Sequence, residues 1–378
     1  MKLSSLSNNQ NYEGDFTMRN KWSGVVRLFS CCEEMLRVWD DEHYLLNTPP
    51  VLALGEKYRQ LLGLPTLFTT RGMTAIQALV MNYTSASSII ACSEDVYPGT
   101  RRFLTNLLYS ERVANLYWFD PANYAQIRDL VVNNGVGLVF SETCGNAMQM
   151  RVCNPKILAS LCYAQNCTFI LDTTFTPLFT LPLRPEFSRT FIVASMTKYD
   201  QQSDDQMGGR ISASDDLIYE IQFAESYQTV AMLPSTAVYY LNECDGNVIQ
   251  MRHEEISKNT LTLAIACNGL IQEVYYPGLP THPQNNIVQQ DFHGFAGGVF
   301  YMRLPGGAAM VKDFCDRLVT TQSDWQLAVS FGAPEWRVLP FIGPIEKKGQ
   351  EGLIRVSPGT LNPSHNISKF LQVLRSIH

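Results

Sequence analysis

The stretch Phe191-Ile-Val-Ala-Ser-Met-Thr-Lys-Tyr199 decides how the chain is read. Its first four residues form an unbroken apolar run, as expected of a strand covered on both faces, and the run passes directly into Ser195, Thr197 and Lys198. Alone, a lysine just past a core strand reads as a side chain snorkelling to the surface. The stretch Thr168-Phe-Ile-Leu-Asp-Thr-Thr-Phe175 changes that reading, because it is a second such run and ends on Asp172. Parallel neighbours bring their carboxyl-terminal residues to one crevice, so an acid and an amine share a cleft. Ser88 to Cys92 and Val136 to Glu142 are further apolar runs, and segments of helical spacing lie between them: Thr74 to Asn82, Ala122 to Asn133 and Pro155 to Gln165. The alternation predicts an α/β fold with a parallel or nearly parallel sheet.

Three features mark changes of architecture. A polar, irregular arm occupies residues 1–50, a long helical stretch runs from about Ser235 to Asn268, and Tyr276-Pro-Gly-Leu-Pro-Thr-His-Pro283 is rich in proline and glycine. Beyond it Gly297 to Arg303 alternates like a half-buried strand, a helix over Ala308 to Leu318 follows, and Gly352 to Val356 makes another strand before a final helix. The expected division is therefore an arm at 1–50, a large domain at 51–240 and a smaller α+β domain at 241–378.

Composition narrows the function. The chain has 378 residues, 46% of them apolar, with 29 Lys and Arg against 35 Asp and Glu and a net charge of −6. That charge supplies no basic field for a phosphate backbone, so no nucleic-acid partner is expected. No apolar run approaches the roughly 18 residues of a membrane span, and Met1 to Asn11 is polar where a signal peptide is apolar, so a cytoplasmic protein without membrane partners is expected. The ten cysteines form no C-x-x-C pair, the six histidines no i, i+4 pair, and the expectation is reduced thiols and no metal.

An amine and a carboxylate in one cleft suit pyridoxal 5'-phosphate, which needs a lysine for a Schiff base and an acid to keep its pyridine nitrogen protonated. The phosphate needs an anion site. Thr69-Thr-Arg-Gly-Met-Thr-Ala-Ile76 offers one, since Gly72 and Met73 open a helix whose free amides face an anion, with the hydroxyls of Ser195 and Thr197 completing a cup. Tyr97, in Glu94-Asp-Val-Tyr-Pro-Gly-Thr100, follows another strand and is a candidate to lie against the ring.

From about Leu54 onward the chain resembles the pyridoxal-phosphate enzymes of cysteine and methionine metabolism, the group of cystathionine synthases and lyases, methionine lyase and O-acylhomoserine sulfhydrylases. The resemblance rests on motifs that recur in order: Gly72-Met73, Tyr97-x-Gly99-Thr100, Glu142 to Asn146, Asp172-x-Thr174-Phe175, Ser195-x-Thr197-Lys198-Tyr199, Tyr276-Pro-Gly-Leu279 with His282-Pro283, and Leu353-Ile-Arg-Val-Ser357. It implies fold type I of the pyridoxal-phosphate-dependent transferases. It further implies that Lys198 carries the cofactor and moves protons, that Asp172 pairs with the pyridine nitrogen, and that Tyr97 stacks on the ring while Asn146 contacts the ring hydroxyl. Gly72, Met73, Thr174, Ser195 and Thr197 would complete the cofactor site. Arg355 would take the substrate carboxylate with Ser330 and Asn146, and Arg102 matches an arginine aimed at the far end of a substrate. The implied partners are a small amino-acid substrate and further copies of the chain, as a dimer or tetramer.

The sequence also departs from that family. Its amino-terminal Tyr-x-Arg segment, which lends an arginine to the neighbouring subunit's phosphate, is here Tyr44-Leu-Leu-Asn-Thr-Pro49, and Arg71, just before Gly72, is the candidate substitute. Gln201-Gln202-Ser203-Asp204 replaces Gly-His-Ser-Asp after the lysine, and Val329 stands where cystathionine-handling relatives often carry a glutamate. The expected activity is β- or γ-elimination or γ-replacement on a sulfur-containing or O-activated amino acid. The alternative is a non-catalytic scaffold or effector on the same fold. A nicotinamide dehydrogenase is disfavoured, since no G-x-G-x-x-G follows the first strands.

Overall fold

The computed structural model describes residues 48–377, except 203–204, 244, 321–322 and 344–348, together with a short ladder between Trp22–Ser23 and Val26–Arg27. The expected arm therefore lies almost wholly outside the described residues, as do Ser203 and Asp204. The first described helix, Pro49–Leu62, opens on two prolines whose fixed φ suits a helix start.

Seven strands build the main sheet: β1 Thr66–Thr69, β2 Ile89–Ser93, β3 Asn115–Phe119, β4 Leu138–Glu142, β5 Thr168–Asp172, β6 Thr190–Ser195 and β7 Gly209–Ser212, in the order β1-β7-β6-β5-β4-β2-β3. The pairs β2/β3, β2/β4, β4/β5 and β5/β6 are parallel, whereas β7 runs antiparallel to both β6 and β1. Successive residues of one strand enter opposite cores: Leu138 and Phe140 pack on one side of the sheet and Val139 on the other, and Ile170 is likewise opposed to Phe169 and Leu171. Covering both faces explains why these strands read as continuous apolar runs.

The second sheet comprises β8 Val274–Tyr275, β9 Phe300–Arg303, β10 Trp325–Leu327, β11 Trp336–Pro340 and β12 Leu353–Ser357, ordered β8-β9-β12-β11-β10. Its pairs are antiparallel except β10/β11. Helices Gly307–Leu318 and Pro363–Ser376 meet over it through Phe314 and Phe370, whose ring centroids are 5.0 Å apart, and Trp325 packs against both Phe370 and Trp336. The long helical stretch expected over Ser235 to Asn268 is two helices, Pro234–Glu243 and Gly246–Asn268. The Asp245 side chain accepts from the Asn247 amide at 3.0 Å and so caps the second, which is why the stretch breaks there. The strand expected over Gly297 to Arg303 begins only at Phe300, because Gly297 turns at φ 85° and packs on Phe175. The seven described cysteines are free and buried, and no described helix is long and apolar enough to cross a membrane.

Candidate active site

The register of the main sheet sets two carboxylates side by side. Glu142 and Asp172 end β4 and β5 as direct neighbours, and Asp172 pairs in turn with Val193 of β6. Three residues beyond Ser195, which ends β6, Lys198 sits in the short helical turn Met196–Tyr199, so it opens onto the same crevice as Asp172. Asp172 is buried, and its Oδ1 accepts from the Thr174 amide at 2.8 Å and from the Thr174 hydroxyl at 2.6 Å. Thr174 Oγ1 also accepts from the Ser195 amide at 3.0 Å, which ties Asp172 to the strand that carries the lysine. Burial pushes the Asp172 carboxyl above its ordinary pKa, while Thr174 and the Arg210 guanidinium pull it down.

Lys198 Nζ donates to Ser330 Oγ at 2.7 Å and lies 5.0 Å from the centre of the Phe331 ring. The loop of Ser330 comes this close because the next position but one is Gly332, at φ 87°; a Cβ there would stand 2.1 Å from the Lys198 carbonyl oxygen. Phe331 stacks on Phe175 with centroids 5.0 Å apart, and the Arg355 guanidinium lies 5.6 Å from the same ring. Arg355, on β12, is 6% exposed and donates to the carbonyls of Val329 at 2.7 Å and Ser330 at 3.3 Å. Its Nε has no hydrogen-bond partner, and among the described residues no carboxylate forms an ion pair with it. A buried cation without a counter-ion is costly and calls for an anionic ligand.

The helix that opens at Gly72 starts against Ser195, three residues before Lys198. Gly72 opens the helix Gly72–Tyr83, and a Cβ on it would come within 2.8 Å of Ser195 Cβ and 2.9 Å of its Cα, so only glycine lets the helix start against the end of β6. Thr197 Oγ1 accepts from the Gly208 amide at 3.2 Å, and Met73 Sδ accepts from Thr100 Oγ1 at 3.6 Å. Tyr97 precedes the helix Pro98–Tyr109; its amide donates to Glu142 Oε1 at 2.7 Å and its ring is 48% exposed. The Asn146 amide acts on the same carboxylate electrostatically, and Asn146 Oδ1 accepts from the Tyr301 hydroxyl at 3.2 Å. Glu142 is buried, and that burial, with Asp172 beside it, holds its carboxyl well above the ordinary value.

A family model for Cys/Met metabolism PLP-dependent enzymes matches residues 47–339. The chain belongs to this family. As a Cys/Met metabolism PLP-dependent enzyme it is 25% identical over 347 residues to a probable cystathionine gamma-synthase 2 of Arabidopsis thaliana, covering 89% of this chain and 82% of that one. It is 26% identical to a cystathionine gamma-lyase of Dictyostelium discoideum over 76% of this chain and 75% of that one. A crystal structure of cystathionine gamma synthase from Xanthomonas oryzae pv. oryzae, in complex with aminoacrylate and cysteine, superposes with a TM-score of 0.78 at 24% identity, covering 88% and 86% of the two chains. Its fold is that of this PLP-dependent enzyme.

The structure thus brings Gly72, Met73, Tyr97, Asn146, Asp172, Thr174, Ser195, Thr197, Lys198, Ser330 and Arg355 to the crevice and the segments that border it. Arg71 is exposed beside the cup, where its amide donates to Thr74 Oγ1 at 3.0 Å. Arg102 is exposed one turn into the helix that follows Tyr97, with no ion pair among the described residues. The residues fit the cofactor: a cradle at Gly72 that a Cβ would fill, a buried acid at Asp172, an amine at Lys198 and an orphaned donor on Arg355. Sequence reading missed Phe331, Gly332 and Tyr301 as site residues and quoted Glu142 only as part of a motif.

Proposed function

We propose that the protein catalyses β- or γ-elimination or γ-replacement on a sulfur-containing or O-activated amino acid. In this reading Lys198 is the base, Asp172 and the Gly72 helix start hold the cofactor, Arg355 receives the substrate carboxylate, and the small domain begins near residue 241. The supporting observation is the arrangement of three groups around one crevice: the Lys198 amine, the Asp172 carboxylate and the Arg355 cation that lacks a counter-ion. Bound pyridoxal phosphate supplies an electron sink for the bond breaking.

The residues divide the remaining work. Arg355 binds the substrate carboxylate as a fork, in the place its orphaned Nε marks. Asp172, held by Thr174, keeps a negative oxygen at the pyridine nitrogen and so retains its proton. The Gly72 helix start, Ser195 and Thr197 hold the phosphate. Lys198 takes the proton from the substrate Cα, after which a leaving group can depart from Cβ; for a leaving group at Cγ the amine passes that proton on and takes a second one from Cβ, and its hydrogen bond to Ser330 Oγ parks it between those steps. Tyr97 covers the exposed face of the ring. The oligomer that the resemblance implies would bring a neighbouring copy to that open face, and cytoplasmic placement is part of the same reading.

Lys198→Ala tests the assignment. The variant should fold, and turnover should drop by at least about 10²-fold, the minimum usual for loss of such a base. A variant that keeps more than about a tenth of parental turnover removes Lys198 from this role. The visible absorption of the purified protein, and fixation of the cofactor to Lys198 by borohydride, report cofactor binding independently. A product screen with cystathionine, methionine, cysteine and O-acylhomoserines, with and without sulfide, identifies the substrate. Val329 is 77% exposed and offers no acid to a distal ammonium, so O-acylhomoserines should exceed cystathionine in kcat/KM.

A further inference from the structure

Tyr301 stands on β9 directly opposite Arg355 of β12, so the two side chains rise as cross-strand neighbours from one face of the second sheet. It is buried, and its hydroxyl donates to Asn146 Oδ1, on the loop that follows β4 of the main sheet. The Arg355 guanidinium lies beside that hydroxyl as its cross-strand neighbour and acts on it electrostatically. Burial pushes the phenol above its ordinary pKa against the pull of Arg355, so at neutral pH it keeps the proton that it donates to Asn146.

A side-chain amide has one accepting and one donating end, and its orientation is set by the hydrogen bonds around it. With Oδ1 turned to Tyr301, the Nδ2 end of Asn146 is turned away from it. The neighbouring Glu142 carboxylate accepts from the Tyr97 amide and makes no hydrogen bond to the Asn146 side chain. The phenol is therefore the one contact among the described residues that selects which end of the amide is presented to the crevice.

We infer that Tyr301 is a positioning residue that joins the Arg355 carboxylate site to the Asn146 ring contact and keeps Asn146 Nδ2 aimed into the cleft as a donor. This rests on the proposed placement of cofactor and substrate around Asn146 and Arg355. It also couples the two sites: a substrate carboxylate on Arg355 changes the polarisation of the Tyr301 hydroxyl and hence the grip on Asn146.

Tyr301→Phe keeps the ring and removes one oxygen. Two readouts test the inference: titration of cofactor-free protein with pyridoxal phosphate, followed by tryptophan fluorescence, and the split between KM and kcat. The variant should bind the cofactor about 3- to 10-fold more weakly and raise KM by a similar factor, the worth of one buried hydrogen bond, with kcat within about twofold of the parent. Adding Asn146→Ala should then weaken cofactor binding by less than it does in the parent, because the amide has already lost its orientation. A variant that melts earlier yet keeps parental cofactor affinity and KM makes Tyr301 structural only and overturns the inference, as do losses that add independently with Asn146→Ala. A parent protein that takes up no pyridoxal phosphate overturns the proposed function with it, whereas a loaded parent and an unaffected Tyr301→Phe overturn this inference alone.

Discussion

Arg71 is the residue we propose to stand in for the family arginine that the chain lacks. It is exposed, pairs with no described acid, and occupies the cap position of the helix whose free amides form the anion cup. A guanidinium there can fork onto two phosphate oxygens, and such a charge-assisted bond contributes roughly 1.5–3 kcal/mol. Arg71→Ala should therefore weaken pyridoxal phosphate binding by about 10- to 150-fold, while the visible absorption of the saturated protein stays unchanged. Titration as tight as the parent's would return the role to the arm, where the side chains of Arg19 and Arg27 lie outside the described residues. Lys198 and Asp172 were legible in the sequence because a charge at or just past the end of an apolar run is costly unless it is used, whereas Arg355, in the middle of its strand, was reached only through the family resemblance. Tyr301 and Phe331 were not, since an aromatic residue in a half-buried strand or loop has the pattern of ordinary core, and only the cross-strand register with Arg355 gives Tyr301 its place.

At the level of elements, four of the main sheet's five parallel-paired strands were readable, while Asn115–Phe119 and the antiparallel-paired β1 and β7 were not. Thr168 to Asp172 and Phe191 to Ala194 carry no charge before their ends, whereas β7 is four residues long and holds Arg210. That arginine is 1% exposed and is accommodated by Asp200, whose Oδ2 lies 3.2 Å from its Nε, so a buried ion pair hides the strand from any search for apolar runs. The loop between β10 and β11 depends on a similar local detail. Gly332 combines a positive φ with a backbone contact, and a methyl group there would push the loop away from Lys198. Gly332→Ala should cost about 2 kcal/mol or more, from the left-handed backbone and overpacking together, and should lower turnover by moving Ser330 off Lys198. Gly307→Ala, also at positive φ but with nothing within 4 Å, isolates the backbone part, about 1–2 kcal/mol. Equal losses in thermal midpoint and unchanged turnover in both variants would show that the contact with Lys198 does not matter.

Across the whole molecule, buried groups of opposite habit bear on how stability responds to pH: His253 in one sense, and Glu142, with Asp172 and Asp200 shifted the same way, in the other. His253 is 2% exposed between Tyr199 and Phe295; the Phe175 backbone approaches it without good hydrogen-bond geometry, and burial pushes its pKa down to about 4. Between pH 6.5 and 4 the unfolded chain binds a proton there that the folded chain does not, so stability falls as the solution is acidified, by on the order of 3 kcal/mol at the lower limit. Glu142 behaves in the reverse sense. Its folded carboxyl, held high chiefly by burial, keeps a proton the unfolded chain has released, so stability falls as pH rises from the ordinary carboxylate value through the raised one. The cofactor-free protein should therefore lose thermal midpoint on both sides of an intermediate pH, and two variants separate the limbs. His253→Met should flatten the acid limb, and Glu142→Gln, which keeps the shape but does not titrate, should flatten the rise in cost toward alkali. Should the His253→Met protein lose midpoint on acidification as steeply as the parent, the acid sensitivity does not originate at His253, and a Glu142→Gln protein whose midpoint falls as steeply as the parent's with rising pH would equally free Glu142 from that role.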